Sequence, residues 1–515
     1  MFLESCCIAD VRDPSLGRPL SLSERFGYIT IIARQAHAIT YLYRYSRADL
    51  PTIESLSPSV DRAQRDIHHL WAEVVDGETP QPAFRLRPQG PWAALELVRD
   101  DTYAEEEDGV GGRISVESRL LESEIRRMQG RAGKGGPAWQ ITRYLPTFTA
   151  RGHEAHALTK GGSSGPVDNT AAFSYLAVSF FHHIIDGSAG LALSLSLLSG
   201  TSLVPAHGLA PRLEDLVRLT PSVPYLIKEA YHELLIPTLP AFMRRKLEGA
   251  RCWPGEDVKG NPAIFPEAQE TFHLPSAWIA AVKRVGKAHG VHTVHPIVEA
   301  AFVSALREVT GTSMLIDACT PVNDRDAANP ATPRTAGVMF SALNKVYAPS
   351  LFAASSTATI SNAPAFWAMA RDTAQHHLSP SARKQGRYHI GVLGLVPNPK
   401  SFSSPHTDNP LRRTKTGWED FFWSSLERPA PYRDSLVVSN LGRIERLPPG
   451  CSGMRWTQSA APFISPLCLQ VVGHEAGLEI CAAFREGCAV SREEVRGILK
   501  RFEEIIADLI EEDND

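Results

Sequence analysis

Two histidines and an aspartate lie in the segment "FHHIIDG", residues 181–187, between two apolar stretches. His182 and Asp186 have the spacing H-x-x-x-D, and Gly187 follows. An imidazole changes charge near neutral pH, so it can take a proton from a substrate and return it later in the same reaction. The stretch "FSYLAVSFF" predicts a buried strand, and "GSAGLALSLSLL" predicts a helix after a glycine turn. We therefore expect a general base at the end of a strand, where it can face a cavity.

A metal site is a second interpretation of the same segment. His182, His183 and Asp186 have suitable ligand chemistry, but adjacent residues of a strand point to opposite faces. The other histidine pairs, at 68/69 and 376/377, share no ligand spacing with this group. The sequence therefore predicts no metal site. The pattern alone leaves open that His182 is a hydrogen-bonded histidine of the core.

Covalent catalysis is a third interpretation, because "GGSSG" at residues 161–165 matches G-x-S-x-G around Ser163. A nucleophile elbow needs a strand before the serine and a helix after it. Here a polar stretch precedes the match and "PVDNT" follows it. The eight cysteines are scattered, without C-x-x-C pairs or zinc spacing. We expect a glycine/serine loop at 161–165 and no nucleophile among Ser163 and the cysteines.

The composition limits the classes of function. A chain of 515 residues fits two ordinary domains or one two-lobed unit. Hydrophobic residues make up 43% and charged residues 21%, as in soluble globular proteins, and a net charge of −4 argues against a broad nucleic-acid-binding face. No apolar run reaches 18 residues, and the first residues lack the pattern of a signal peptide. We expect a cytoplasmic protein without a transmembrane segment; peripheral membrane association stays open.

Helical and strand patterns alternate along the chain. A capping box of Ser21 and Glu24 predicts a helix that continues through "RFGYITIIARQAHAITYLYRY". "DRAQRDIHHLWAEVV" predicts a second helix and "WAALELVRD" a strand. In the second half, "HPIVEAAFVSALREV" and "FWAMARDTAQHHL" predict helices, "SMLIDACTPV" and "AGVMFSALNKVYA" predict strands, and a capping box of Ser491 and Glu494 begins a last helix. Both halves therefore combine mixed sheet and helix.

Further segments give the pattern a family resemblance. "YRDSLVVSNLG" ends with Ser439, Asn440, Leu441 and Gly442, "CTPVNDR" ends at Arg325, and "PAWQITRYL" leads the first pair of strands. Together with H-x-x-x-D-G, these segments resemble the fungal alcohol acetyltransferase family. That family belongs to the chloramphenicol-acetyltransferase-like superfamily, with plant acyltransferases and the condensation domains of peptide synthetases. Condensation domains carry a histidine pair one position earlier, where this chain has Phe181, which argues against a condensation role.

The resemblance implies an α/β (α+β) fold of two pseudo-symmetric lobes with mixed sheets, flanking helices and a tunnel between the lobes. Because prolines are frequent between about 200 and 265, we place the N-terminal lobe at residues 1–205, a proline-containing connector at 206–265 and the C-terminal lobe at 266–515. The resemblance implies a monomer that binds no cofactor permanently. The expected partners are acetyl-CoA as co-substrate and a small hydrophobic alcohol or secondary metabolite, which the enzyme would convert to an ester.

The resemblance also assigns roles to residues. His182 would be the general base, while Asp186 and Gly187 would shape the turn behind it. Arg325 would pair with Asp186, and Ser439 or Asn440 would donate to the oxyanion. A condensation-like protein or a catalytically silent small-molecule-binding protein of the same fold is the alternative.

Overall fold

A computed structural model describes residues 17–104, 114–147, 173–201, 208–231, 252–325, 336–351, 364–397 and 416–511, with a few single positions between 232 and 251. Strands in these ranges form three sheets. They are β1 (Arg18–Pro19), β2 (Ala38–Tyr45), β3 (Ala72–Val75), β4 (Ala83–Leu86), β5 (Val98–Ala104), β6 (Trp139–Thr147), β7 (Ser174–Phe181), β8 (Glu267–Pro275), β9 (Ile316–Asn323), β10 (Phe340–Tyr347), β11 (Leu436–Arg443), β12 (Cys451–Gln458), β13 (Leu467–His474) and β14 (Gly477–Arg485).

Helices in the same ranges pack against the sheets. They are α1 (Leu22–Ile32), α2 (Ile53–Asp66), α3 (Ala94–Leu97), α4 (Val116–Arg131), α5 (Gly187–Ser199), α6 (Leu213–Leu216), α7 (Val223–Ala230), α8 (Ser276–Ala288), α9 (Val294–Thr310), α10 (Pro364–Leu378), α11 (Pro380–Val392), α12 (Gly417–Leu426) and α13 (Arg492–Glu511). None of these helices is long and apolar enough to cross a membrane.

The N-terminal lobe is built on a mixed sheet with the strand order β12-β2-β7-β6-β5. β7 is central, and all eight of its residues are buried, as the unbroken apolar run "SYLAVSFF" requires. β12 comes from the second half of the chain and pairs antiparallel with β2. The second half of the chain therefore contributes a strand to the N-terminal sheet. Side chains of β2, β7, α2 and α5 share one core, with Tyr43, Val178, Val60 and Leu193 among its members.

The C-terminal lobe is built on a six-stranded mixed sheet with the order β10-β9-β11-β13-β14-β8. β11 is parallel to both of its neighbours, β9 and β13. Helices α9, α10 and α13 cover one face of this sheet, and Phe302 and Phe502 stack there with ring centroids 3.9 Å apart. Each lobe is thus a mixed sheet with flanking helices, as the resemblance predicted.

The long helix predicted from Ser21 is wrong in its second half. The capping box of Ser21 and Glu24 is present, but the helix ends at Ile32 and the chain continues as strand β2. β2 pairs with both β7 and β12. The stretch "AITYLYRY" is rich in β-branched and aromatic residues, which favour a sheet buried on both faces. Tertiary pairing therefore overrides a helix-compatible apolar pattern.

Two shorter predictions also need correction. The second helix ends at Asp66; residues His68–Trp71 form one turn of 3₁₀ helix and Ala72–Val75 form β3. The stretch predicted as a strand from Trp92 begins with the helical turn α3 and becomes strand β5 only at Val98. Both errors lie at boundaries, where local patterns are weakest.

Other predicted elements are confirmed. Strands β6, β7, β9, β10 and β11 and helices α5, α9 and α10 lie where the patterns placed them. Ser491 and Glu494 form the predicted capping box at the start of α13, with the Ser491 backbone N–H donating to the Glu494 carboxylate at 2.7 Å. The "GGSSG" match with Ser163 lies outside the described residues.

Candidate active site

His182 is the first residue after strand β7 and lies between the two lobes. Its backbone N–H donates to the carbonyl of His37 at 2.8 Å, which fixes the chain where the strand ends. Its ring faces His37 on one side, with centroids 4.5 Å apart, and Phe340 at the start of β10 on another, with centroids 5.6 Å apart. The residue is 9% exposed. A side chain from the central N-terminal strand therefore contacts the edge strand of the C-terminal sheet.

Burial lowers the pKa of His182 below its ordinary value of 6.5, because a charged imidazolium is poorly solvated in the interior. A hydrogen bond with its own backbone carbonyl and the nearby Asp186 carboxylate oppose this lowering. The ring is therefore neutral near pH 7. A neutral imidazole can accept a proton, as a general base must.

Asp186 is the N-cap of α5 and connects this helix to the other lobe. One carboxylate oxygen accepts the backbone N–H of Ala189 at 3.0 Å, and the other accepts the N–H of Met339 at 2.8 Å. The Asp186 backbone N–H donates to the carbonyl of Gly337 at 3.2 Å. These bonds hold the turn behind His182 against the segment that leads into β10.

Arg325 forms an ion pair with Asp186, with a nitrogen–oxygen distance of 2.8 Å. Arg325 is 1% exposed, and it also donates to the carbonyl of Gly337 at 3.0 Å and to the side-chain oxygen of Asn323 at 3.1 Å. A buried ion pair needs such additional hydrogen bonds to offset its loss of hydration. The pairing that the resemblance implied is thus present, and it couples the two lobes.

Gly187 of the H-x-x-x-D-G motif lies next to Leu441 of the S-N-L-G motif. A Cβ atom at this position would lie 3.1 Å from Leu441 Cδ2 and 3.5 Å from the ring of Trp456. The backbone also accepts a hydrogen bond there, since the hydroxyl of Tyr41 donates to the Gly187 carbonyl at 2.6 Å. A side chain at 187 would separate the first turn of α5 from the end of β11.

Ser439 and Asn440 lie on opposite faces of β11. Val438 belongs to the core under the helices, and Asn440, two residues later, faces the same helices: its Nδ2 lies 3.2 Å from Nδ1 of His295 in α9. Val437 packs in a different core cluster, and Leu441 contacts Gly187. Because side chains alternate along a strand, Ser439 shares the face of Val437 and Leu441, which is the face toward the N-terminal lobe.

His183 has different surroundings from His182. Its ring lies near Tyr28, Phe84 and Phe181, with centroid distances of 5.6, 6.0 and 6.0 Å. Burial lowers the pKa of His183 to about 3. The rings of His182 and His183 therefore lie in different surroundings. Both residues belong to the turn after β7, so the alternation of side chains along a strand, which the sequence predicted, does not explain this difference. Asp186 contributes to the pKa of His182, whereas Glu24 is the carboxylate that acts on His183.

His37 is a site residue that the sequence did not indicate. Its ring packs on His182, its Nε2 is buried without a hydrogen-bond partner among the described residues, and burial holds its pKa well below 6.5. Nothing in "RQAHAIT" distinguishes His37 from a surface histidine. We call His37, His69, His182 and His183 the N-terminal histidine cluster; the pKa of each is lowered mainly by burial.

Comparisons with known proteins identify the fold. No family model and no curated protein matches the sequence. Among solved structures, the chain is similar to TRI3 trichothecene 15-O-acetyltransferase from Fusarium sporotrichioides, with a TM-score of 0.59 at 12% identity, over 96% of this chain and 94% of that one. It is also similar to the first condensation domain of the calcium-dependent antibiotic synthetase, with a TM-score of 0.57 at 14% identity, over 97% of both chains.

A third similar structure is the epimerization domain from the third module of tyrocidine synthetase B, with a TM-score of 0.51 at 14% identity, over 92% of this chain and 91% of that one. These likenesses extend over nearly the whole chain, so this protein has the chloramphenicol-acetyltransferase-like fold that acetyltransferases and condensation domains share. At 12–14% identity these similarities show the fold alone.

Proposed function

We propose that this protein is an acyl-CoA-dependent O-acyltransferase that transfers an acetyl group to the hydroxyl of a small hydrophobic alcohol or secondary metabolite. The observation that carries the proposal is His182: a buried, neutral imidazole between the lobes, backed by the Asp186–Arg325 ion pair. The similarity to an O-acetyltransferase supports the same reaction class. Phe181, at the place where condensation domains carry the first histidine of their pair, favours O-acyl transfer over condensation.

In the proposed reaction, His182 removes the proton from the acceptor hydroxyl as its oxygen attacks the thioester carbonyl carbon. A carbon–oxygen bond forms, and the carbonyl oxygen becomes an oxyanion. When the tetrahedral intermediate collapses, the carbon–sulfur bond breaks and the imidazolium returns its proton to the leaving thiolate. The products are the ester and free coenzyme A. One base serves both proton transfers, so acyl donor and acceptor must be bound together.

Of the two predicted oxyanion donors, we assign the role to Ser439. The Asn440 amide is engaged at both ends: its oxygen accepts the N–H of Gly442 at 2.8 Å, and its nitrogen faces His295. The hydroxyl of Ser439 lies on the face of β11 that includes Leu441, which contacts Gly187 beside the candidate base. A donor placed where negative charge develops lowers the barrier, and removing such a donor costs about 100–1,000-fold in rate.

The test is release of coenzyme A thiol from acetyl-CoA in the presence of a panel of hydrophobic alcohols. We expect release that depends on the alcohol, with ester as the second product and intersecting initial-rate lines at several fixed alcohol concentrations. His182→Ala should abolish the signal, while His292→Gln, an exposed histidine outside the site, should keep it. Release by wild type that never exceeds the protein-free background with any alcohol would refute the proposal in favour of a silent binding protein, and equal release above background by wild type and His182→Ala would refute His182 as the base.

Parallel initial-rate lines, or a labelled acetyl group retained on the protein without acceptor, would refute direct transfer. Ser163→Ala should then identify whether the G-x-S-x-G match is the attacking group. We expect near-normal turnover for this variant, because a covalent route requires a nucleophile held by a base and an orienting group.

A further inference from the structure

The C-terminal lobe contains a second group of histidines, which the proposed reaction does not use. His295 and Glu299 lie one turn apart on α9, and His377 approaches them from the end of α10. Nε2 of His295 is 3.4 Å from Glu299 Oε2, and Nε2 of His377 is 3.3 Å from the same oxygen. We call these three residues the His–Glu–His cluster. One possible ligand atom from each residue lies within 4.8 Å of the others.

We propose that the His–Glu–His cluster binds a divalent cation of the zinc type. Imidazole nitrogens and one carboxylate oxygen are zinc ligands, and three protein ligands leave a fourth position for water. In tetrahedral zinc sites the ligand atoms lie about 2.0–2.2 Å from the metal, so two ligands are about 3.3–3.5 Å apart. The two measured nitrogen–oxygen separations of 3.4 and 3.3 Å have that size.

Hydrogen bonds from two hydroxyl groups hold the carboxylate of Glu299 in place. Glu299 is fully buried. The hydroxyl of Tyr347 donates to its Oε1 at 2.6 Å, and the hydroxyl of Thr320 donates to its Oε2 at 2.9 Å. Hydrogen bonds of this kind orient ligating carboxylates and are a usual part of metal sites.

The two imidazoles lie beside the carboxylate of Glu299. Nε2 of His295 and Nε2 of His377 are both buried and make no hydrogen bond of acceptable geometry with the described residues, although each lies within 3.4 Å of the same carboxylate oxygen. The two side chains are 18% and 15% exposed. The ring centroids of the two imidazoles lie 5.0 Å apart.

Asn440 adds a condition for binding. Nδ2 of Asn440 faces Nδ1 of His295, while the Asn440 side-chain oxygen accepts the Gly442 N–H. When the Asn440 amide donates to Nδ1, the proton of a neutral His295 is on Nε2, toward Glu299. A cation at Nε2 requires the proton on Nδ1, so binding must turn the Asn440 amide or draw on another acceptor. Metal binding is thereby coupled to the end of β11, next to Ser439.

The experiment is a titration of the full-length, chelator-treated protein with ZnCl2 by isothermal calorimetry, with Co²⁺ as a spectroscopic probe. We expect one site per chain, a thermal midpoint that rises with zinc concentration, and a tetrahedral Co²⁺ absorption that zinc displaces. His377→Gln and His295→Gln should each weaken zinc binding by more than about 100-fold. Loss of a residue that only hydrogen-bonds to a metal ligand typically costs about 10–100-fold, so a larger effect identifies a ligand. His292→Gln, an exposed histidine near the start of α9, is the matched control and should bind as wild type.

Glu299→Gln tests the carboxylate, but it changes a fully buried group, so the two histidine variants keep the test decisive if this variant does not fold. Equal zinc affinity in wild type and in both histidine variants would overturn the proposal. So would the lack of saturable binding in folded wild type; the cluster would then be a metal-free arrangement in which two imidazoles share one carboxylate. Zinc affinity is measured without acyl transfer, so this outcome is independent of the proposed reaction.

Discussion

The N-terminal histidine cluster and the His–Glu–His cluster use one residue type in opposite electrostatic surroundings. His182 and His183 are surrounded largely by rings and backbone, and burial keeps both imidazoles neutral. His295 and His377 face a buried carboxylate, and both histidines together hold the pKa of Glu299 far below its ordinary value. A neutral imidazole can accept a proton, whereas imidazoles beside a carboxylate have the ligand types of a cation site. The chemistry of a histidine is therefore decided by what its ring faces.

The largest expected effect separates the two neighbouring histidines after β7. His182→Ala should lower kcat/KM for acyl transfer about 100–10,000-fold, the usual contribution of a general base. His183→Ala should lower it much less, because the His183 ring lies among Phe84, Tyr28 and Phe181. Steady-state kinetics of folded variants measure both effects. A greater loss in His183→Ala than in His182→Ala would reverse the assignment.

A second comparison concerns ion pairs. Asp186→Asn removes the partner of the buried Arg325 guanidinium, and breaking such a pair costs about 3–5 kcal/mol of stability. Activity should fall with stability, because the turn behind His182 depends on Asp186. The control is Asp372→Asn, which breaks the pair with Lys345 at a side chain that is 68% exposed and should cost less than about 1 kcal/mol.

Denaturant unfolding at pH 7 measures both free energies. Similar losses in Asp186→Asn and Asp372→Asn would show that burial does not distinguish the two pairs. Wild-type stability combined with low activity in Asp186→Asn would make Asp186 a catalytic group and not a positioning one.

The third prediction concerns pH and rate. Because burial lowers the pKa of His182, the neutral base persists as the pH falls through 6.5. We expect kcat/KM to stay constant through this value and to fall about tenfold per pH unit only below the lowered pKa. The pH profile of kcat/KM in folded protein is the measurement. A midpoint at or above 6.5 would mean that the base is solvated or that another group titrates.

The smallest effect is on acid stability. Burial lowers the pKa of His183 to about 3, while an unfolded histidine binds a proton below about 6.5. Between these values the unfolded state holds more protons, so stability falls as the pH falls, by about 1.4 kcal/mol per unit for one group. His183→Phe removes this contribution. Its free energy of unfolding relative to wild type should therefore rise between pH 6.5 and 4.5.

His292→Phe is the control for acid stability, because His292 is exposed and its replacement should leave the pH dependence unchanged. Parallel stability curves for wild type and His183→Phe would show that His183 is protonated in the folded state. The claim that burial keeps the histidines of the N-terminal cluster neutral would then fail for His183.

Local sequence predicted many of the helices and strands around the site. Ser21 and Glu24 cap α1, as a capping box requires, because both partners lie within one turn. The run before His182 predicted β7, because it is short, mostly apolar and rich in aromatic residues. The same reasoning failed at β2, where "AITYLYRY" is compatible with a buried helix until the pairing with β7 and β12 is known.

The sequence by itself determined the strand–turn–helix around His182, Asp186 and Gly187, because caps, turns and periodicity depend on residues a few positions apart. Only the tertiary structure decided which side chains face one another. It brought Leu441 to Gly187, and separated Ser439 from Asn440 by the two faces of β11. It also placed His37 on His182, and joined His377 to α9. These contacts set burial and charge, and therefore pKa and ligand geometry, which no local pattern of residues contains.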